Sequence, residues 1–297
     1  MLDRKEVYFV GYASGIAGSD SGSGDGPEVL KNSPIMTKLA QKGLRYHWGE
    51  LIKSTKQDAS ILDRVAGQCT ELARAVKYAV NEGQFFIVFG GDHSCAIGTW
   101  SGVYDALDSQ DELGLIWIDA HMDSHTPETT PTGNIHGMPL ASLLGYGNAK
   151  LINILKAQPK LKPQNICLIG IRSYEEGEAE LLKKLNVRIF FMDEVKERGM
   201  EAVMKEALSI VKKHTSYFGV TLDIDAIDPA DAPGTGVVES DGIRAKDIYR
   251  AVQMLANEKR LIGFEIAEFD PHKDKNHMTE MFISNLITSM TLGKTYD

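Results

Sequence analysis

Six residues of this 297-residue chain have the types and spacing of metal ligands. Asp119, His121 and Asp123 stand at alternate positions, as do Asp223 and Asp225, and His93 follows Gly90-Gly91-Asp92. In an extended segment, residues two apart point the same way, so each set faces one point. Four carboxylates gathered in a partly buried cleft repel one another and lose solvation, which raises their pKa values. Two divalent cations would neutralise them. Oxygen-rich ligation with two histidines and no cysteine favours a hard or intermediate metal, Mn²⁺ ahead of Zn²⁺. Two such ions roughly 3.5–4 Å apart would hold a bridging hydroxide, a nucleophile available near neutral pH. A single Asp behind a strand is often only a helix cap or turn former. Asp-x-His-x-Asp together with Asp-x-Asp is a far narrower pattern.

These residues need elements that bring them to one place. His93, Asp119, Asp223 and Glu268 each follow a short apolar run, at 85–89, 115–118, 218–222 and 261–266. Further runs lie at 7–10, 166–169 and 188–191. Their β-branched and aromatic content predicts strands buried on both faces, as in a parallel sheet covered by helices. Apolar residues recur at helical spacing over 61–80, 202–211, 245–256 and 278–290. Strands alternating with helices predict βαβ crossovers and an α/β fold. A parallel sheet carries all these strand ends to one edge, where ligands of such folds bind. Residues 11–26 hold six glycines and predict a loop, with Pro27 in the first turn of the next helix. Residues 126–137, with two prolines, two glycines and four threonines, predict another. No repeat, charge run or low-complexity tract marks a boundary, so 1–297 is expected to form one domain.

Composition narrows the function classes. Hydrophobic residues make up 43% and charged residues 25%, which is ordinary for a globular protein. A chain this long can bury about three quarters of its surface without disulfide staples. The net charge of −9 disfavours non-specific nucleic-acid binding and favours a cationic ligand. Three scattered cysteines fit a reducing compartment, and no apolar run is long enough for a membrane span or a signal peptide. A cytoplasmic protein with no nucleic-acid or membrane partner is expected.

Three segments carry a resemblance. Gly90-Gly91-Asp92-His93-Ser94, Asp119-Ala120-His121-Met122-Asp123-Ser124-His125 and Asp223-Ile224-Asp225-Ala226-Ile227-Asp228-Pro229 resemble, in order, the signature motifs of the arginase/agmatinase (ureohydrolase) family. The resemblance implies one three-layer α/β/α domain with a central, mostly parallel eight-stranded sheet and two Mn²⁺ per chain. By motif position, one ion would be held by His93, Asp119, Asp123 and Asp223. The other would be held by His121, Asp119, Asp223 and Asp225. Residues 129–137 resemble the arginase branch, in which the loop histidine, here His136, shuttles protons. Asp123 would help position the nucleophile, and Glu268 matches the glutamate that pairs with the guanidinium. Glu175 and Glu178 match the segment that reads the substrate α-amino group, while Thr132 and His125 would meet the α-carboxylate. The family also implies a homo-oligomer, trimer or hexamer.

The implied reaction is hydrolysis of L-arginine to L-ornithine and urea. Another ureohydrolase activity, on agmatine, guanidinobutyrate or formimidoglutamate, would use the same centre. Two positions and one stretch depart from the common arginase pattern. His125 stands where Asn is usual, Thr132 replaces a frequent Ser, and residues 237–242 run Val-Val-Glu-Ser-Asp-Gly in place of Thr-Pro and a later glycine pair.

Overall fold

The computed structural model describes residues 6–53, 58–108, 112–294 and 296. Eight strands build one sheet: β1 (Glu6–Ala13), β2 (Arg45–Lys53), β3 (Phe85–Gly90), β4 (Leu113–Ile118), β5 (Ile166–Ile171), β6 (Arg188–Phe191), β7 (Tyr217–Asp223) and β8 (Leu261–Ala267). Their order is β2-β1-β3-β8-β7-β4-β5-β6, and every neighbouring pair is parallel. The chain leaves a gap between β3 and β4, which β8 and β7 later fill. The carboxyl ends of β3, β8, β7, β4 and β5 therefore stand side by side, as ligand-binding strand ends do in open α/β sheets.

Helices cover both faces. One side carries α1 (Gly26–Asn32), α2 (Pro34–Gln41), α8 (Met192–Arg198), α9 (Met200–Lys212), α10 (Ala245–Gln253) and α11 (Met278–Leu292). The other carries α3 (Ile61–Asn81), α4 (Cys95–Ala106), α5 (Pro139–Leu143), α6 (Ala149–Ile152) and α7 (Glu176–Lys184). The continuous apolar runs are explained by this sandwiching. Phe85, Ile87 and Phe89 enter one core, while Phe86 and Val88 enter the other. Each strand thus feeds two cores with its period of two.

The central strands are less uniformly apolar. On the α4 side, β7 offers Gly219 and Thr221. A Cβ on Gly219 would lie 2.0 Å from the Trp100 ring, so glycine lets α4 seat its largest side chain on the sheet. Helix α3 starts where Ser60 accepts the Asp63 backbone N–H at 3.1 Å and its hydroxyl donates to the Asp63 carboxylate, which caps an otherwise open turn.

Two sequence expectations need correction. β2 is absent from the apolar runs because it is an edge strand, half exposed along its length. Residues 11–26 are not all loop: β1 continues to Ala13, a 3₁₀ turn forms at Gly22–Asp25, and α1 begins at Gly26 with Pro27 in its first turn. Cys69, Cys95 and Cys167 are buried and unpaired. Among the described residues no helix is long and apolar enough to cross a membrane.

Candidate active site

At the carboxyl ends of the central strands the six strand-end residues come together. His93 Nδ1 lies 3.1 Å from Asp119 Oδ2, 3.0 Å from Asp123 Oδ2 and 3.1 Å from Asp223 Oδ2. His121 Nδ1 lies 3.0 Å from Asp225 Oδ2 and 3.6 Å from Asp119 Oδ1. Asp119 is therefore common to two groups of converging ligand atoms, one with His93 and Asp223, the other with His121 and Asp225. His93, Asp119, Asp123, Asp223 and Asp225 are buried, and His121 is partly exposed.

The arrangement fits a cation better than it fits hydrogen bonds. Three carboxylates surround His93 Nδ1, yet none meets it with hydrogen-bonding geometry, and the atom is fully buried. One ring N–H serves at most one acceptor. Several carboxylate oxygens and an imidazole nitrogen with a common focus are the donor set of a divalent ion. Without one, the electrostatics are strained. Burial, then Asp225 and Asp119, push the Asp223 carboxyl well above its ordinary range. Burial lifts Asp225 to about 6, with His121 opposing and Asp119 adding. Burial works against a charged His93, but the three surrounding carboxylates push its pKa well up.

Buried polar groups behind the cluster fix its orientation. Trp117 Nε1 donates to Asp119 Oδ2 at 2.8 Å, and the Trp117 ring stacks on His93 with centroids 4.5 Å apart. His93 Nε2 lies 2.9 Å from the Thr221 hydroxyl, which donates to Glu265 Oε1 at 2.7 Å. Trp117, Thr221 and Glu265 are missing from the sequence-based candidates. Their signal was a polar atom within an apolar strand, at positions facing the same side as the strand-end ligands.

A cleft of about 360 Å³ opens over the cluster. Glu268, directly after β8, accepts the His93 backbone N–H at 2.9 Å and lies 3.0 Å from His136 Nδ1. Two of these groups sit on backbone that L-residues seldom adopt: Asp123 has φ 48° and Glu268 has φ 64°. Such conformations cost on the order of 1–3 kcal/mol and persist where surrounding structure enforces them. Glu268 is held by its N–H donating to Gly91 O at 2.7 Å. Burial opposes a charged His136, but Glu268 beside it, then Asp123 and Asp92, lift its pKa to about 9.

The outer end of the cleft holds the remaining candidates. Both ring nitrogens of His125 are engaged, Nε2 with Glu175 Oε2 at 3.0 Å and Nδ1 with the Thr129 hydroxyl at 3.2 Å. Glu178 accepts the Glu175 N–H at 3.0 Å at the start of α7, and burial pushes it to about 8. Thr132 lies on the cleft wall in the exposed 126–137 loop, where its hydroxyl accepts the Asn134 N–H at 3.2 Å. No lysine or arginine lines the cleft among the described residues. A larger groove of about 800 Å³, against α8 and α9, contains no such convergence of ligand atoms.

The model of the Arginase family matches residues 5–293. The chain belongs to the arginase family. The arginase of Brevibacillus brevis is 35% identical over 299 residues, covering 97% of this chain and 98% of that one. The arginase of Bacillus caldovelox is 41% identical over 229 residues, covering 77% and 76%. Among solved structures, the arginase from Bacillus subtilis superposes with a TM-score of 0.90 at 33% identity, covering 98% of this chain and all of that one (100%). The arginase of Entamoeba histolytica in complex with L-ornithine gives 0.89 at 29% identity, covering 97% and 98%. The sheet of this chain is entirely parallel, and the strand-end residues converge at one edge of it.

Proposed function

We propose that this chain hydrolyses the guanidinium group of L-arginine, giving L-ornithine and urea. The observation that carries the reading is one cleft in which Glu268 and His136 face each other at 3.0 Å beside a cluster of four buried aspartates, buried His93 and partly exposed His121. The names of its relatives support the same reaction. His93, Asp119, Asp123 and Asp223 would hold one cation, and His121, Asp119, Asp223 and Asp225 the other. The oxygen-rich donor set favours manganese. When bound, such a pair neutralises the carboxylates and supplies an ionised water near neutral pH.

The protein's own groups account for recognition and proton movement. Glu268 is buried, and its pKa is held below the ordinary range: burial opposes this, but His136 and His93 outweigh it. It therefore offers a carboxylate to the planar guanidinium, a charge-assisted pairing. Asp123 positions the attacking water on the cluster side of the cleft. His136 is charged at neutral pH and stands against Glu268, so it can donate a proton to the departing amine. Glu175 and Glu178 face the α-ammonium, and Thr132 with His125 the α-carboxylate. The acidic chain, and a cleft lined by no lysine or arginine among the described residues, draw in a cationic substrate. A homo-oligomer in the cytoplasm completes the reading.

The test is incubation of the Mn²⁺-loaded protein with a panel of guanidino compounds, scored by urea release. Arginine should dominate. Urea from agmatine or guanidinobutyrate alone would move the assignment to another ureohydrolase, and no product from any compound would overturn it.

A further inference from the structure

The two histidines of the cluster differ at their far ring nitrogens. His93 turns Nε2 inward to the buried Thr221 hydroxyl at 2.9 Å, and through it to Glu265. His121 turns Nε2 outward, toward the cleft, where Glu239 Oε1 lies 3.6 Å away. Among the described residues no other side chain is paired with His121 Nε2. Glu239 belongs to the 237–242 stretch, where this chain departs from the common family pattern. It stands on a fastened piece of backbone: Arg172 Nη2 donates to Glu239 O at 3.1 Å and Arg172 Nε to Ser240 O at 2.8 Å. The same guanidinium donates to Asp225 O at 2.6 Å, so the loop bearing Glu239 is tied to the segment bearing Asp225.

We propose that Glu239 is a positioning residue for His121, the acceptor that draws the Nε2 hydrogen outward and leaves the Nδ1 lone pair facing Asp119 and Asp225. A ligating imidazole must present one nitrogen without its proton, and the hydrogen bond made by the other nitrogen selects that tautomer. The separation of 3.6 Å exceeds a hydrogen bond. Glu239 is partly exposed, and the proposed contact requires its carboxylate to move closer. Among the described residues, the cluster's other histidine, His93, has a hydroxyl and no carboxylate at its second nitrogen. The inference rests on the two-cation reading above and concerns only the ion that His121 would hold. Partners of this kind typically change metal affinity by roughly 10- to 100-fold.

The experiment titrates Mn²⁺ alone into metal-free wild type, Glu239→Ala and Glu239→Gln, in competition with a chelator, and reads both dissociation constants. Wild type should bind two ions. Glu239→Ala should weaken one by roughly 10- to 100-fold and leave the other unchanged. Glu239→Gln, whose amide oxygen still accepts a hydrogen bond, should recover part of that loss. The metal-free variants should melt with the wild type, which separates positioning from general loosening of the fold. Two wild-type constants in Glu239→Ala, or equal weakening of both ions, would overturn the role of Glu239. A wild type that binds fewer than two ions would overturn the two-cation reading, and the inference with it.

Discussion

His136 Nδ1 and Glu268 Oε1 lie 3.0 Å apart, and that same oxygen accepts the backbone N–H of His93. One carboxylate thus links the loop that precedes α5 to the start of the segment leading into α4. In the proposed reaction it places a proton donor and a cation acceptor at the same point above the acidic cluster.

Removing the imidazole should separate proton transfer from binding. His136→Asn keeps a polar side chain of moderate size and leaves every cluster residue in place. General acid–base groups typically contribute about 10²–10⁴-fold in rate, so kcat should fall by that order while Mn²⁺ content stays at two. An unchanged kcat would assign the proton transfer elsewhere.

The same pair should make the metal-free protein's stability depend on pH. The His136 pKa rises from 6.5 to about 9 in the fold, so between those values the folded state holds more protons than the unfolded chain. The advantage of wild type over His136→Asn is then complete below pH 6.5 and disappears as pH rises through about 9. Its size should be on the order of 1–3 kcal/mol. Thermal unfolding of chelated protein across this range measures it, and a constant difference would contradict the pairing.

The cluster predicts an unequal response to ligand loss. Asp119 belongs to both groups of ligand atoms, and Asp225 to the group with His121. Asp119→Ala should therefore lower occupancy of both cations, and Asp225→Ala chiefly of one. Elemental analysis of the loaded variants distinguishes the two patterns. Identical loss in both would contradict the shared position of Asp119.

Lys160 offers a test of stability away from the chemistry. Its Nζ is buried and donates to the carbonyls of Ile152, Lys156 and Gln158 at 2.5, 2.7 and 2.7 Å. Lys160→Met keeps the length of the stem but leaves these carbonyls without their donor. A loss of about 2–4 kcal/mol in denaturant unfolding is expected, with metal content unchanged. A loss below about 0.5 kcal/mol, typical of surface positions, would contradict this account.

Much of this architecture is legible in the sequence because two periodicities survive folding. Apolar runs such as 85–89 supply both cores at once, and alternate residues such as Asp223 and Asp225 end near a common point. Edge strand β2 is less legible, since its Arg45-Tyr46-His47-Trp48 segment buries too little apolar surface to stand out. Thr221 and Glu265 show only as polar atoms within apolar strands, and Glu239 shows not at all, for another reason. Their meaning lies in partners 128, 166 and 118 residues or so away in the chain, such as His93 for Thr221 and Thr99 for Glu265. The left-handed backbone at Asp123 and Glu268 has no glycine to signal it. Tertiary contacts impose it.

Substrate choice separates arginine hydrolysis from the other ureohydrolase reactions. Glu268 can pair with the guanidinium of both L-arginine and agmatine, and both carry the amine that Glu175 and Glu178 would meet, so discrimination must arise from Thr132 and His125 at the α-carboxylate. A site that hydrogen-bonds a substrate group penalises an analogue lacking it, because its own polar groups are left unpaired. Losing the α-carboxylate should cost about 2–4 kcal/mol, or roughly 30- to 1,000-fold in kcat/KM. The measurement is kcat/KM for both compounds with one Mn²⁺-loaded preparation. A preference for arginine of that size is expected; comparable values, or a preference for agmatine, would contradict recognition of the α-carboxylate at the outer end.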